Sequence, residues 1–178
     1  MQPDLALIFS ALEFAAYKHR NQRRLNPEAS PYINHPIQLA QVLTSHGVTD
    51  TATLCAAILH DTIEDTDTTA DELRAKFGDE ITALVLEVTD DTSLPYLARK
   101  QAQIDKAAHS SDKAKLVKLA DKICNISDLA SAPPTSWTAT RVVEYFEWSY
   151  QVVGQIRDAH GGLVESFDLA YSRKPDSK

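Results

Sequence analysis

Six consecutive apolar residues, Leu54 to Leu59 (LCAAIL), leave no polar face on a helical wheel, so a helix here must be enclosed on every side rather than laid on a surface. The chain turns ionic at once. His60 and Asp61 close the apolar run, and Glu64, Asp65 and Asp67 follow with no Lys or Arg before Arg74. Carboxylates this crowded repel one another, and moving them against a buried helix is costly unless a partner compensates their charge. The simplest partner is a cation. His60 and Glu64 are four apart, so a helix continuing through both would set their Cβ atoms about 5 to 6 Å apart on one face. That spacing suits a metal ligand with a base beside it. Acidic runs are ordinarily solvated loops, and a His-Asp dipeptide alone is common; the position of this one at the end of a wholly apolar helix gives it weight. A calcium loop beginning at Asp65 is a poor alternative, because Ala70 stands where the sharp turn needs Gly and Lys76 where a bidentate Glu is needed.

The chain has 178 residues, a length that fits one domain with a single core. Hydrophobic residues at 43% and charged residues at 24% are those of an ordinary soluble globular protein. Asp4 and Glu13 interrupt the N-terminal apolar residues, so neither a signal peptide nor a membrane span is expected and the predicted location is cytoplasmic. Cys55 and Cys124 lie in separate apolar helical runs without CxxC spacing, which predicts reduced core thiols. A net charge of −7 argues against nucleic-acid binding, which needs Lys and Arg to neutralise phosphates. An anionic substrate would need a local basic patch, and Lys18, His19, Arg20, Arg23 and Arg24 supply a candidate. No feature of the sequence signals an oligomeric state.

Periodicity predicts helices almost throughout. A first runs from Asp4 to about Arg20, and NQRRLNPEASPYIN forms a loop. A second is opened by His35, with Pro36 in its first turn, and ended by Gly47. Thr49 or Asp50 caps the buried third helix. Beyond the acidic turn, Thr68 or Thr69 caps a short helix that stops at Gly78, and Asp79 starts another. A weakly amphipathic helix reaches Ala108. Ser110 or Ser111 caps the next, from Asp112 to about Leu129, with Asp121 and Asn125 side by side. A long helix then runs from Trp137 towards Ala159, and Gly161-Gly162 separates it from a final short one. The fold class is therefore all-α: a single-domain bundle of eight or nine helices joined by short loops.

A divalent metal held by His35, His60, Asp61 and Asp121 would take its ligands from three separate helices. Two histidines and two carboxylates are borderline-to-hard ligands, which favours manganese over zinc, iron or magnesium. Taken singly, His35 reads as a helix-cap or buried hydrogen-bonded histidine, and Asp121 as an ion-pair partner of Lys118 or Lys122; the metal reading belongs to the set. A metal there would lower the pKa of a water and polarise a phosphoryl oxygen. Glu64 and Asp65 could then orient or deprotonate that water. Arg24 is the first choice for the phosphates, followed by Arg141, with Tyr145 one turn further on the same face. By themselves Arg141 reads rather as a surface ion pair with Glu144 or Glu147, and Tyr145 as an amphipathic packing tyrosine.

His35, the His60-Asp61 pair and Asp121 form an ordered signature that resembles the HD metal-dependent phosphohydrolase superfamily. The longer blocks HRNQRRLNPEASPYINHP, AAILHDTIEDTDTT, FGDEITALVLEVTDD, KLVKLADKICNISDL and RVVEYFEW are similar to the hydrolase domain of RelA/SpoT alarmone proteins. They are most similar to its stand-alone form, the small alarmone hydrolases and metazoan SpoT homologues. The similarity runs from about His19 to Trp148 within a single domain spanning residues 1–178. It implies hydrolysis of guanosine 3′,5′-bis(diphosphate) and its pentaphosphate relative at the ribose 3′ position, releasing pyrophosphate and GDP or GTP, with one manganese ion. It further implies His35, His60, Asp61 and Asp121 as ligands, Glu64 and Asp65 as the catalytic carboxylates, Arg24 and Asn125 as nucleotide contacts, and Arg141 and Tyr145 facing the phosphates. Synthesis of the alarmone is not expected.

Two positions depart from that pattern. Leu25 stands where the family commonly has a second basic residue, and Tyr96 where the most similar members carry Lys. Fewer cations would shift base or phosphate preference, which keeps adenosine analogues of the alarmone, or a nucleotide with a lone 2′ or 3′ phosphate such as NADPH, as alternative substrates. A different class of reading is a binding module whose metal is only structural.

Overall fold

The computed structural model describes residues 3–176. Within them the chain forms nine helices: α1 (Leu5–Lys18), α2 (Asn34–Ser45), α3 (Thr51–Leu59), α4 (Thr62–Asp65), α5 (Ala70–Val88), α6 (Tyr96–Ala107), α7 (Asp112–Ser131), α8 (Ala139–Gly154) and α9 (Gly161–Tyr171). No β-strand is present among the described residues; one isolated bridge joins Arg23 to Pro31. The expected all-α bundle is what forms.

The apolar run does what its composition demands. Every residue of α3 from Ala52 to Leu59 is buried, and α1, α2, α5 and α7 surround it. Helix α7 is the second axis of the bundle, packing on α2, α8 and α9 as well as α3 and α5. The main chain enters these helices through side-chain caps that satisfy otherwise orphaned amides. Asp50 accepts from Thr53 N, Thr69 from Glu72 N and Ser111 from Ala114 N. Gly78, with φ of 80°, breaks α5 where only a residue without Cβ enters that backbone region cheaply, as the sequence indicates.

Three expectations are corrected. Helix α3 does not continue through His60 and Glu64: it ends at Leu59, His60 caps it, and α4 is a separate four-residue turn. Helix α8 neither begins at Trp137 nor reaches Ala159, because Thr138 caps it at one end and it stops at Gly154. The glycines 161 and 162 do not separate helices but open α9, since the His160 ring accepts from Leu163 N and makes this a helix start.

The basic patch also dissolves. Lys18 pairs with Asp67 at 3.0 Å and Glu72 at 2.8 Å, His19 is buried, Arg20 lies over the Tyr17 ring, and Arg23 donates to the carbonyls of Arg20 and Gln22. Carboxylates distant in sequence claim Lys18, while Arg20 and Arg23 are taken up by groups one to three residues away.

Candidate metal centre and nucleotide cavity

The abrupt end of α3 is what builds the site. His60 and Asp61 retain helical backbone angles but leave the helix, so their side chains turn towards His35 at the start of α2 and Asp121 in the middle of α7. One ligand atom each from His35, His60 and Asp121 lies within 4.8 Å of the others. His35 Nε2 is 3.3 Å from Asp121 Oδ1, and His60 Nε2 is 3.8 Å from the same oxygen. Asp61 closes the group from the histidine side, its Oδ2 lying 2.8 Å from His60 Nε2 and 3.9 Å from His35 Nε2.

The donor set fits a divalent cation. His60 Nδ1 meets the Ala57 carbonyl oxygen at 2.8 Å, which places the proton on Nδ1 and leaves Nε2 a bare lone pair. That nitrogen is buried and has no hydrogen-bond partner, because its approach to Asp61 Oδ2 is close but misaligned. Two acceptors facing each other at this distance repel unless a cation lies between them. His35 is 2% exposed and His60 7%, so solvent does not supply the missing partner.

Electrostatics agree with a cation-binding chamber. Burial drives His35 below the usual imidazole range. Burial also opposes charge on His60, yet the Asp61 carboxylate carries it up to about 9, so that without a metal ion a proton takes the Nε2 lone pair where a cation would otherwise bind. Asp61 and Asp121 resist the penalty of burial and stay well below the usual carboxylate range, held there by His60 and by Lys122 respectively. The ion-pair reading of Asp121 is realised without turning its other oxygen away from the histidines. Its Oδ2 pairs with Lys122 Nζ at 2.9 Å, while its Oδ1 faces the histidines.

The two candidate catalytic carboxylates part company. Glu64 lines a chamber of about 160 Å³ together with His35, His60, Asp61, Asp121 and Asn125. Burial first, then Asp90, Asp61 and Asp65, push its carboxyl up to about 7, against the Asp90 amide that donates to its Oε2 at 3.1 Å. Asp65 lies instead in the wall of a larger cavity of about 420 Å³ and accepts from Gln22 Nε2 at 2.9 Å.

Arg24, Leu25, Asn125, Trp137 and Tyr145 also wall this larger cavity. Asn125 and Tyr145 line both spaces and so join them. Arg24 Nη2 donates to Asn125 Oδ1 at 3.2 Å and Asp128 Oδ2 at 2.9 Å, and Asn125 Nδ2 donates to Asp121 Oδ1 at 2.6 Å. Arg141 is in neither wall; its guanidinium stacks 4.2 Å over the Trp137 ring, exposed at the edge of the larger cavity.

Sequence reasoning missed Tyr32, Gln22, Lys118, Lys122, Trp137 and Trp148 as parts of these walls. For the lysines a signal existed, since Lys118, Asp121, Lys122 and Asn125 are spaced three, one and three apart and share one helical face. For Tyr32 and Gln22 none did, because their partners Asp61 and Asp65 are far along the chain.

A family model described as HD domain matches residues 11–145. The chain belongs to the HD-domain family. Among curated HD-domain relatives, the guanosine-3′,5′-bis(diphosphate) 3′-pyrophosphohydrolases of Mus musculus and Homo sapiens are each 50% identical over 175 residues, covering 98% of this chain and 98% of theirs. A solved structure described as a metazoan orthologue of SpoT that hydrolyses ppGpp superposes with a TM-score of 0.93 at 41% identity, over 97% of this chain and 98% of that one.

Proposed function

We propose that this HD-domain chain is a metal-dependent hydrolase that removes pyrophosphate from the 3′ position of guanosine 3′,5′-bis(diphosphate) and its pentaphosphate relative, leaving GDP or GTP. The observation that carries the reading is the junction at Asn125 and Tyr145 of two spaces: a buried histidine-carboxylate chamber and an aromatic-walled cavity large enough for a nucleoside. Full-length similarity to enzymes named for that reaction supports it.

His35, His60, Asp61 and Asp121 would hold the ion, with manganese preferred for a set of two imidazoles and two carboxylates. A divalent metal supplies Lewis acidity toward water and a phosphoryl oxygen when bound. Glu64, raised to about 7, is placed in the chamber as a base near neutral pH and accepts the proton of the attacking water. Asp65, held by Gln22, faces the larger cavity and orients the ribose end of the nucleotide. Trp137 and Tyr145 present ring faces to a base, Asn125 and Arg24 its polar edge, and Arg141 the outer phosphates. Residues 1–178 act as one HD-type domain on a small-molecule nucleotide in the cytoplasm. No helix among the described residues is long and apolar enough to cross a membrane.

Incubating the purified protein with a nucleotide panel, each with manganese and with chelator, tests this. Release of pyrophosphate and GDP only with metal is expected; inertness towards every 3′-diphosphorylated nucleotide would end the reading. Leu25 in the cavity wall favours one second reading, turnover of a less charged nucleotide with a lone 2′ or 3′ phosphate such as NADPH, or of an adenosine analogue. The same panel separates these by product.

A further inference from the structure

Seven of the 18 lysines and arginines of this acidic chain are matched to carboxylates among the described residues. Lys18, Arg24, Arg74, Lys113, Lys122, Arg157 and Lys174 all form ion pairs. Lys100, like the buried Lys118, is not one of them. Its Nζ has no ion pair and no hydrogen-bond acceptor among the described residues, although its side chain is drawn into the protein. Three rings surround it instead, with Nζ 4.2 Å from the Trp148 centroid, 4.9 Å from Tyr145 and 5.3 Å from Tyr96. The Trp148 indole N–H donates to the Lys100 carbonyl oxygen at 3.0 Å, which pins α6 to α8 at this point.

The rings are not an isolated cage. Trp137, Tyr145 and Trp148 form a continuous row, with centroids 5.7 and 5.1 Å apart, leading from the larger cavity to the chamber. Cations flank the whole row: Arg141 on Trp137, and both Lys100 and Lys122 on Trp148, the latter two each 4.2 Å from the same centroid. Ring faces attract cations, but they do not neutralise them. Burial, then repulsion from Lys122 and Arg141, pushes the Lys100 ammonium down to about 8. Lys122 is paired with Asp121, but Lys100 and Arg141 have no ion pair among the described residues, and cations crowded with fewer counter-ions than charges favour an anion beside them.

We propose that Lys100 is an anion-recognition residue of this protein, contacting a phosphoryl group of the substrate other than the one attacked in the chamber. The inference rests on the hydrolase reading for its substrate, but the site it names is testable without turnover. Lys100 Nζ sits 4.9 Å from the Tyr145 ring, which walls both the larger cavity and the chamber, so the ligand chemistry is a diphosphate reaching past that ring. Nζ donates to its oxygens, and the rings hold the lysine stem in place so that little side-chain freedom is lost on binding.

Pyrophosphate is the probe, titrated by calorimetry into the metal-free protein in the presence of chelator. Lys100→Gln and Lys100→Met should each weaken its binding about tenfold, the loss of one charge-assisted hydrogen bond, and Lys100→Arg should restore it to within a factor of about three. Circular dichroism on each variant checks that the fold is kept. In steady-state assays the Gln and Met variants should raise KM for guanosine 3′,5′-bis(diphosphate) by a similar factor while kcat changes little. Equal pyrophosphate binding by wild type and both neutral variants, or no binding by wild type, overturns the proposal. A protein without turnover whose pyrophosphate binding still depends on Lys100 would instead overturn the hydrolase reading and retain this one.

Discussion

The Tyr32 hydroxyl donates to Asp61 Oδ2 at 2.5 Å, the same oxygen that stands 2.8 Å from His60 Nε2. Burial, and then the Asp61 charge, push the phenol well above its ordinary range, so it remains a donor at any working pH. Its ring is wedged against His19 and His35, with centroids 4.8 and 6.0 Å away. Partners that orient a ligating carboxylate in this way are worth roughly 10 to 100-fold in metal affinity. Tyr32→Phe keeps the ring and removes the bond, so manganese binding measured by calorimetry should weaken by about that factor with the fold intact. Affinity within twofold of wild type would show that Asp61 needs no such support or is not a ligand.

The parts of the site that could be read from sequence are those carried by local pattern. An apolar run followed by acids predicts a buried helix delivering charge to an interior, and that is how His60 and Asp61 reach the chamber. Caps at Asp50, Thr69 and Ser111 are legible because the residue and its amide are three apart. The overrun of α8 has an equally local cause: Val152, Val153 and Ile156 keep apolar spacing past Gly154 and are all buried, so periodicity continues where the helix does not. What sequence could not show was pairing across distance. Arg24 finds Asp128, Gln22 finds Asp65, and Lys100 finds Trp148 only once the bundle is assembled.

Glu64→Gln separates chemistry from binding. The amide keeps the shape and can still accept from the Asp90 amide, but it cannot take a proton from water. Loss of a positioned general base costs roughly 10²- to 10⁴-fold in rate. Activity should fall in that range while manganese affinity stays near that of wild type, because Glu64 is not among the four proposed ligands. Wild-type turnover by the variant would remove Glu64 from the mechanism, and loss of metal would make it a ligand.

The same residue predicts how stability depends on pH in the metal-free protein. A carboxyl whose folded-state value is about 7 and whose unfolded value is near its usual range binds more protons folded than unfolded in between. Stability therefore falls as pH rises from about 4.5 to about 7, and is level above. Discounted for partial solvent access to about 1 kcal/mol, the effect amounts to roughly 2 to 4 °C in a chain of this size. Glu64→Gln should melt higher than wild type by that amount at pH 8 and alike at pH 4, read by calorimetric scans with chelator present. Equal melting temperatures at pH 8 would mean that the carboxylate is solvated in the folded protein.

Full enclosure of α3 predicts intolerance of added volume at its smallest side chains. Ala56 and Ala57 are both 0% exposed, on a helix hemmed in by α1, α2, α5 and α7. Ala56→Leu adds three carbons where no face opens to solvent, and overpacking of this kind costs about 1 to 3 kcal/mol. The melting temperature should drop by roughly 3 to 10 °C. Phe9→Ser on α1, where Phe9 is 64% exposed, should change stability by no more than about 0.5 kcal/mol. Helix α3 also carries His60 at its end, anchored by the Ala57 carbonyl, so displacement by the larger side chain should weaken manganese binding in parallel with stability. A leucine at position 56 accommodated without cost would mean that a face of α3 opens outward, and the route by which the chain brings His60 and Asp61 to Asp121 would then need a different physical basis.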